Sequence, residues 1–173
     1  MTMNWLTIDG PVGPLLLVEA GGQLTKLHFD SDKASAQLPA EARRESSLLR
    51  ETRAQLKAYF AGRLKDFELP LSPSGTPFQE RVWRGLLDIP YGETISYAEL
   101  ARRVDSPRGY RAVGSANGSN PIALIIPCHR VIATGGGLGG YGGGLDRKRW
   151  LLALEGAPQA ASPLQFEVAG LES

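Results

Sequence analysis

The chain has 173 residues, of which 42% are hydrophobic and 21% charged, and these proportions exclude a disordered or fibrous protein. Lys and Arg number 19 and Asp and Glu 18, so the net charge of +1 does not by itself indicate a nucleic-acid partner. The single cysteine, Cys128, excludes an internal disulfide, and the presence of only two histidines excludes a cysteine-rich zinc site.

The sequence also bears on location. Its N-terminus lacks a basic segment followed by an apolar one, so it does not have the pattern of a signal peptide. The longest purely apolar run, from Ile122 to Pro127, is too short to span a bilayer. A lone thiol favours a reducing compartment. We therefore expect a soluble, cytoplasmic protein without a membrane segment.

The first 72 residues have the pattern of a small antiparallel sheet followed by a helix. A helix is predicted over residues 46–61, with Gly62 at its C-cap, because apolar residues recur there at helical spacing. Residues 31–44 are polar and typical of a loop. Three short β-type runs, separated by Gly- and Pro-containing turns, precede them: Trp5–Ile8, Leu15–Val18 and Leu24–Phe29.

The second half is predicted to be mainly helical. Residues 69–75 are rich in Pro and Ser and indicate a linker, so we divide the chain into domains at 1–72 and 73–173. Thr76–Gln79 has the residues of a capping box and begins a helix that continues to about Leu87. The same signature recurs at Ser96–Glu99. The fold class is therefore α/β (α+β).

A third helix is predicted to start at Ser106-Pro107 and to end by Gly118, and two short helices joined by a turn suggest a helix-turn-helix. Residues 76–156 hold ten Lys and Arg against seven Asp and Glu, a local net charge of +3. The basic residues here form either a solvated helix face or a phosphate-contacting patch. Five of them lie in the stretch from the second helix to the cysteine segment: Arg102, Arg103, Arg108, Arg111 and Arg130.

Most of the reactive chemistry lies around Cys128, which an apolar run precedes and His129 follows. A thiol becomes a nucleophile when its pKa is lowered and a base is at hand, but a free cysteine is often a small buried hydrophobe. Adjacent side chains of an extended chain point to opposite sides, so a bend or a water must connect Cys128 with His129.

Two later features have a functional and a plain interpretation. Residues 135–144 contain eight glycines, which allow close approach to a flat ligand or form a flexible tether, with Tyr141 as the one large side chain. Asp146 is predicted to cap a helix running to Glu155, with Trp150, Leu151 and Leu154 inward. A carboxylate at a helix C-terminus is disfavoured by the helix dipole, so Glu155 either orients a histidine or is simply exposed.

These residues together resemble the O6-alkylguanine-DNA alkyltransferases, the suicide DNA-repair proteins. The sequence IPCHRVI at 126–132 is similar to their active-site signature. The resemblance is dense over residues 76–156 and looser before them. Further matching elements follow the family's order: IPYGET at 89–94, SY at 96–97, RAVGSAN at 111–117, NP at 120–121, GYGGG at 140–144 and WLLALEG at 150–156.

The resemblance implies a mechanism. Cys128 would attack the carbon on guanine O6 in one displacement, with His129 as base through a water and Glu155 orienting the imidazole. Asn120 would brace the turn that carries the cysteine, and Tyr97 would donate a proton toward the base ring as guanine leaves. A thioether has no good leaving group, so each molecule would react once and no cofactor is needed.

The resemblance also implies how duplex DNA is bound. Arg111 would fill the gap left by the flipped nucleotide, Tyr97 would help to rotate that nucleotide out, and Arg108 would lie in the basic patch. The small residues of the same helix would allow its close approach in the minor groove: Ala112, Gly114, Ser115 and Ala116. The base pocket would use backbone of Cys128 and four further residues: Val131, Tyr141, Gly142 and Gly143.

The sequence departs from the family pattern at Tyr110, where a small residue is expected, and at Gly142, where serine or alanine is common. We expect a monomer that binds alkylated double-stranded DNA, with cooperative binding and activity on O4-alkylthymine left open. Two other classes remain: a cysteine hydrolase, which would turn over an acyl substrate, and a DNA-binding module without chemistry.

Overall fold

A computed structural model describes residues 2–29, 33 and 35–158 of the chain. The described residues cluster into two compact units. The first runs to Ser74 and includes Pro121–Ala123, and the second comprises Gly75–Asn120 and residues 124–158. The division of the chain into domains after residue 72 stays a prediction.

The first unit contains the predicted antiparallel sheet, in the order β1-β2-β3. Five of the six residues of the central strand are buried, which makes this strand the core of the unit. The register of β2 against β3 shifts between Val18 and Glu19, so a bulge interrupts the ladder there. The strands are β1 Met3–Ile8, β2 Leu15–Ala20 and β3 Gln23–Phe29.

Two further segments pair with β3. The Leu24 amide donates to the Pro70 carbonyl at 2.8 Å, and the Ser72 amide donates back to Leu24 at 2.8 Å. The Leu27 amide donates to Pro121 at 2.9 Å, and its carbonyl accepts from Ala123 at 3.1 Å. The segment predicted as a linker is therefore hydrogen-bonded to the sheet up to Ser72.

The predicted helix of the first unit is α1, Ser47–Phe60. The Ser46 side chain accepts from the Leu49 amide at 3.1 Å, so Ser46 is the N-cap. Gly62 follows the Ala61 C-cap with a φ of +76°, a conformation that glycine adopts without strain. Within the predicted loop, Ala40–Ala42 form a 3-10 turn, whereas residues 30–32 and 34 lie outside the described part of the chain.

The second unit is mainly helical, as the sequence predicts. Its two short strands are parallel, with Ile95 opposite Val131. The indole Nε1 of Trp83 donates to the Ala116 carbonyl at 2.8 Å and so ties the first helix of this unit to the third. The elements are α2 Pro77–Leu87, β4 Ile95–Ser96, α3 Tyr97–Arg103, α4 Tyr110–Gly118, β5 Val131–Ile132 and α5 Leu145–Leu154.

The helix starts of this unit show which capping signals are complete. Thr76 and Gln79 exchange both hydrogen bonds of the predicted capping box. Ser96 caps α3 by accepting from the Glu99 amide at 3.1 Å. The other half of the predicted capping box, in which the Glu99 side chain would accept from the Ser96 amide, is wrong, because the Glu99 carboxylate pairs with Arg102 and Arg103 instead.

Two predicted helix starts are also wrong. Residues 106–109 form a tight turn, in which the Gly109 amide donates to Ser106, and α4 begins only at Tyr110. Gly144, with a φ of +94°, is the N-cap of α5, so Asp146 lies within the first turn and pairs with Arg149 at 3.6 Å.

The inward face of α5 also differs from the prediction. Leu151 is buried as expected, but Lys148 and Leu152 share the buried face. Trp150 and Leu154 are partly exposed. Among the described residues, no helix is long and apolar enough to cross a membrane.

Candidate functional site

The segment that carries Cys128 is bent by unusual backbone conformations. Leu124 is buried and has a φ of +71°, which is rare for a residue with a branched side chain. Pro127 has φ −82° and ψ +66°, and the Cys128 amide donates to the Ile126 carbonyl at 2.8 Å. These are the features of an inverse γ-turn. Cys128 then begins a 3-10 turn, so Cys128 and His129 do not lie on an extended strand.

Two asparagines hold this bend in place. The amide Nδ2 of Asn120 donates to the Ile126 carbonyl at 2.7 Å, on the turn immediately before the cysteine. The amide Nδ2 of Asn117, at the end of α4, donates to the Cys128 carbonyl at 3.4 Å. The structure thus gives Asn120 a bracing contact, and Asn117 is a second brace that the sequence analysis did not single out.

The two residues that follow the cysteine form a buried ionic cluster with Glu155. His129 is fully buried, and its Nε2 donates to Oε2 of Glu155 at 2.8 Å, since a carboxylate can only accept. Arg130 grips the same carboxylate with two nitrogens, Nε on Oε1 at 2.8 Å and Nη2 on Oε2 at 3.0 Å. The exposed interpretation of Glu155 is therefore wrong.

The charges of this cluster follow from its contacts. Burial raises the pKa of Glu155, but the hydrogen bonds and charges of His129 and Arg130 together hold that pKa well below its usual range. Burial lowers the pKa of His129 despite the nearby carboxylate. His129 is therefore neutral at pH 7, and the ionised Glu155 is balanced by Arg130.

The IPYGET segment encloses this cluster. The Ile89 carbonyl accepts from Nη1 of Arg130 at 2.7 Å, and the Tyr91 hydroxyl donates to the Leu154 carbonyl at 3.2 Å. The Gly92 amide donates to Oε1 of Glu155 at 3.3 Å. A Cβ on Gly92 would lie 2.9 Å from the Glu155 carbonyl oxygen, and its φ is +82°, so glycine is required at this approach.

Cys128 itself is 7% exposed and is a thiol at neutral pH, because burial raises its pKa. Hydrogen bonds from Asn120 and Tyr141 and the charge of Lys148 oppose this effect. These groups stabilise a thiolate once it forms. The structure thus brings Asn120, Tyr141 and Lys148 to the sulfur.

Tyr97 lies between α4 and the glycine-rich loop. Its ring is in ordinary contact distance of a Cβ built on Gly114, and a Cβ on Gly139 would lie 3.0 Å from its Cε2 atom. Burial and the proximity of Cys128 raise the pKa of Tyr97, while its hydrogen bond with Asn117 lowers it. The tyrosine therefore keeps its hydroxyl proton at neutral pH.

Lys148 is fully buried, and the sequence analysis did not predict a role for it. Its Nζ donates to the carbonyls of Val131 at 2.7 Å, Gly140 at 3.1 Å and Leu138. Burial lowers its pKa to about 8. The ammonium thus links β5 to the glycine-rich loop, which argues against a free tether. Lys148 is the fourth residue of α5 and lies between Arg147 and Arg149, so nothing in the sequence distinguishes it from its charged neighbours.

The remaining pocket residues lie at different depths. Val131 is buried, Tyr141 and Gly143 are partly buried, and Gly142 is exposed. The Val131 carbonyl already accepts from Lys148, and the Cys128 carbonyl accepts from the Val131 amide. The Cys128 carbonyl also accepts from Nδ2 of Asn117, so it already has two donors.

The surface of α4 carries most of the residues expected to touch DNA. Arg111, Ala112 and Ser115 are exposed, Gly114 is partly exposed, and Arg108 is exposed just before the helix. Ala116 is different, because only 3% of it is exposed and it packs inward with Val113. The expectation that the Ala116 side chain lies on this surface is therefore wrong.

The basic patch is smaller than the sequence suggests. Arg130 is buried on Glu155 and is unavailable to phosphate. Arg102 and Arg103 are both paired with Glu99, although each remains exposed. Arg108 and Arg111 are left as the exposed cations nearest the start of α4.

Comparison with known proteins agrees with this site. Residues 3–73 match the family model described as the ribonuclease-like domain of 6-O-methylguanine DNA methyltransferase, and residues 77–157 match its DNA-binding domain. A Methanosarcina barkeri methylated-DNA–protein-cysteine methyltransferase is 50% identical over 88% of this chain and 97% of its own. The Mycobacterium tuberculosis protein of that name is 46% identical over 95% of this chain and 99% of its own.

Solved structures show the same likeness. The crystal structure of Mycobacterium tuberculosis OGT in complex with DNA has a TM-score of 0.81 and 47% identity, covering 94% of this chain and 98% of that one. A three-stranded sheet unit, a helical unit and a buried set of cysteine, histidine and glutamate together define the class of protein to which this chain belongs. The chain belongs to the methylated-DNA–protein-cysteine methyltransferase family.

Proposed function

We propose that this protein repairs alkylated duplex DNA by transferring an alkyl group from O6 of guanine to Cys128, once per molecule. The observation that carries the proposal is that Cys128, His129 and Glu155 are all buried, and that the carboxylate holds the ring of His129, the residue after the cysteine, in one orientation. Membership of the family and the DNA complex of a relative support DNA as the partner.

In the proposed step, the Sγ atom of Cys128 attacks the alkyl carbon, the bond from that carbon to O6 breaks, and guanine leaves. Nε2 of His129 donates its hydrogen bond to Glu155, whereas Nδ1 hydrogen-bonds to no group in the described part of the chain. Nδ1 is therefore the base that takes the thiol proton, directly or through one water. One electron pair moves from sulfur to carbon, so the step requires no redox cofactor or Lewis acid.

Tyr97 is the proposed proton donor to the leaving group. Burial and the charge of Cys128 raise the pKa of its hydroxyl, so the hydroxyl keeps its proton at neutral pH. We infer that it donates this proton toward the base ring as guanine departs, and that Asn120 and Tyr141 stabilise charge on the sulfur before attack. Backbone at Cys128, Val131 and residues 141–143 would enclose the base.

DNA binding would use the exposed face of α4. Arg111 is exposed on the first turn of this helix and can enter the stack where the nucleotide leaves it, while Arg108 can reach a phosphate. Ala112, Gly114 and Ser115 leave the helix surface low enough for a close approach. Unstacking costs roughly a few kcal/mol, which these contacts must offset.

Intact mass spectrometry tests the transfer. The protein is mixed with a duplex carrying one O6-methylguanine, with Cys128→Ser as the matched control. We expect the parent to gain one methyl group and to saturate at one per molecule, and the variant to gain none. Tight binding to the lesion without a mass gain would contradict the transfer and leave a DNA-binding module. Repeated turnover of an acyl substrate would indicate a hydrolase.

We further propose that the protein acts as a monomer in the cytoplasm. Light scattering of the free protein tests the first statement, and a mass above that of one chain would contradict it. Repeating the transfer with O4-methylthymine in the duplex tests the wider substrate range. Titrating longer duplexes with the protein tests cooperative binding.

A further inference from the structure

Tyr110 is an exposed aromatic residue at the start of α4. Its exposed fraction is 52%. In the described part of the chain, two other large hydrophobic side chains are also exposed, Leu87 and Leu145. It is the first residue of the helix, after the Gly109 N-cap, which contributes no side-chain hydrogen bond. Packing in the fold therefore does not explain why an aromatic residue stands at this position.

The surroundings of this ring are cationic. The guanidinium carbon of Arg111 lies 5.9 Å from the ring centroid, within the range of a cation–π contact, and Arg108 is exposed two residues before it. The first turn of α4 contains no acidic residue. An aromatic face flanked by two arginines complements a polyanion that also offers flat, stackable surfaces, and nucleic acid has both properties.

We propose that Tyr110 is a DNA-contacting residue whose ring packs on a base or deoxyribose next to the gap that Arg111 enters. The inference rests on the proposed function, because that function places α4 against the duplex. Arg111 supplies the charge at this point and Tyr110 supplies apolar area, so the two act side by side. The ring makes its contribution through stacking and van der Waals contact and neutralises no phosphate.

The test compares Tyr110→Ala and Tyr110→Phe with the parent. Leu87→Ala is the matched control, since Leu87 is a similarly exposed apolar residue on α2. The affinity for an unmodified duplex is measured by fluorescence anisotropy at several salt concentrations. The rate of alkyl transfer is measured with a lesion-containing duplex and, separately, with free O6-benzylguanine base, which needs no DNA contact.

We expect Tyr110→Ala to weaken duplex binding about 5- to 140-fold, the range for losing one aromatic stack. Tyr110→Phe should bind like the parent, because the ring remains. The slope of log affinity against log salt should not change for either variant, whereas Arg108→Ala should reduce it by about 0.9. Transfer from the duplex should slow in proportion, and transfer from the free base should match the parent.

Three results would overturn the proposal. Duplex binding by Tyr110→Ala equal to that of the Leu87→Ala control would show that the ring makes no contact. An equal loss of rate with the free base would mean that Tyr110 acts on the cysteine site. An effect that vanishes in an Arg111→Ala background would mean that the ring acts only through Arg111.

The two proposals fail separately. A parent protein that binds duplex but gains no alkyl group would contradict the proposed transfer, while the binding and salt measurements would still decide the role of Tyr110. A parent that transfers the alkyl group while Tyr110→Ala binds normally would contradict the role of Tyr110 alone.

Discussion

His129 and Glu155 form a fully buried pair, with Nε2 of the ring 2.8 Å from Oε2 of the carboxylate. Because the carboxylate can only accept, the proton of the neutral ring lies on Nε2 and leaves Nδ1 unprotonated. Arg130 then balances the charge of Glu155 from the other side. The tautomer of the proposed base is thus set by a residue 26 positions away in the sequence.

Arg130→Met should destabilise the protein strongly. Removing one partner of a buried ion pair leaves an uncompensated charge, at a cost of about 3–5 kcal/mol. Chemical denaturation measures this loss. The double variant Arg130→Met with Glu155→Gln should recover part of the stability, because no buried charge remains, yet transfer alkyl groups slowly, because the orientation of His129 is weakened. Full recovery of the rate would contradict the role assigned to Glu155.

Lys148→Met should slow alkyl transfer from duplex and free base alike. The variant leaves the carbonyls of Val131, Leu138 and Gly140 without their shared donor and removes the positive charge near Cys128. We expect a stability loss of about 1–3 kcal/mol. Leu145→Ala, an exposed position on the same helix, is the control. Normal transfer by Lys148→Met would show that the loop keeps its place without the ammonium.

Stability should fall as the pH drops below 6.5. Burial lowers the pKa of His129 from 6.5 in the native state, so the unfolded chain binds a proton first and acid favours unfolding. One such group contributes at most about 1.4 kcal/mol per pH unit. The pKa of His28 is lowered in the same direction. Melting temperatures of His129→Gln and His28→Gln across this range separate the two contributions.

A further loss is expected at lower pH from Glu155. Its native pKa lies well below the ordinary value of 4.5. Its contribution to the free energy of unfolding is therefore full above pH 4.5 and is lost as the pH falls from 4.5 through the native pKa. The pH profile of Glu155→Gln should lack this part. A profile identical to that of the parent between pH 4.5 and pH 3 would contradict the assignment.

Asn120→Ala should loosen the bend that presents Cys128. The variant removes the 2.7 Å hydrogen bond to the Ile126 carbonyl and a donor to the sulfur. We expect about 1 kcal/mol less stability and slower transfer from both duplex and free base. Thr76→Ala, which breaks the capping box of α2 at a similar cost, is the control and should transfer at the parental rate.

Much of the fold could be predicted from local patterns. Short β-type runs separated by Gly- and Pro-containing turns predicted the three strands. Helical spacing predicted α1, and the capping box at Thr76–Gln79 predicted the start of α2. Local signals were misleading where tertiary contacts competed with them. The Glu99 carboxylate pairs with two arginines, and Gly144, with its positive φ, displaces Asp146 as the cap of α5.

The sequence by itself determined the family and the identity of the reactive cysteine, because a short signature and its ordered neighbours are readable without coordinates. Only the tertiary structure decided that Arg130 is a buried partner of Glu155, that Lys148 ties the glycine-rich loop to β5, and that Ala116 faces inward. The sequence alone does not show what surrounds a charged side chain. Whether it meets water, a carboxylate or three carbonyls depends on segments far away in the chain, which folding alone brings together.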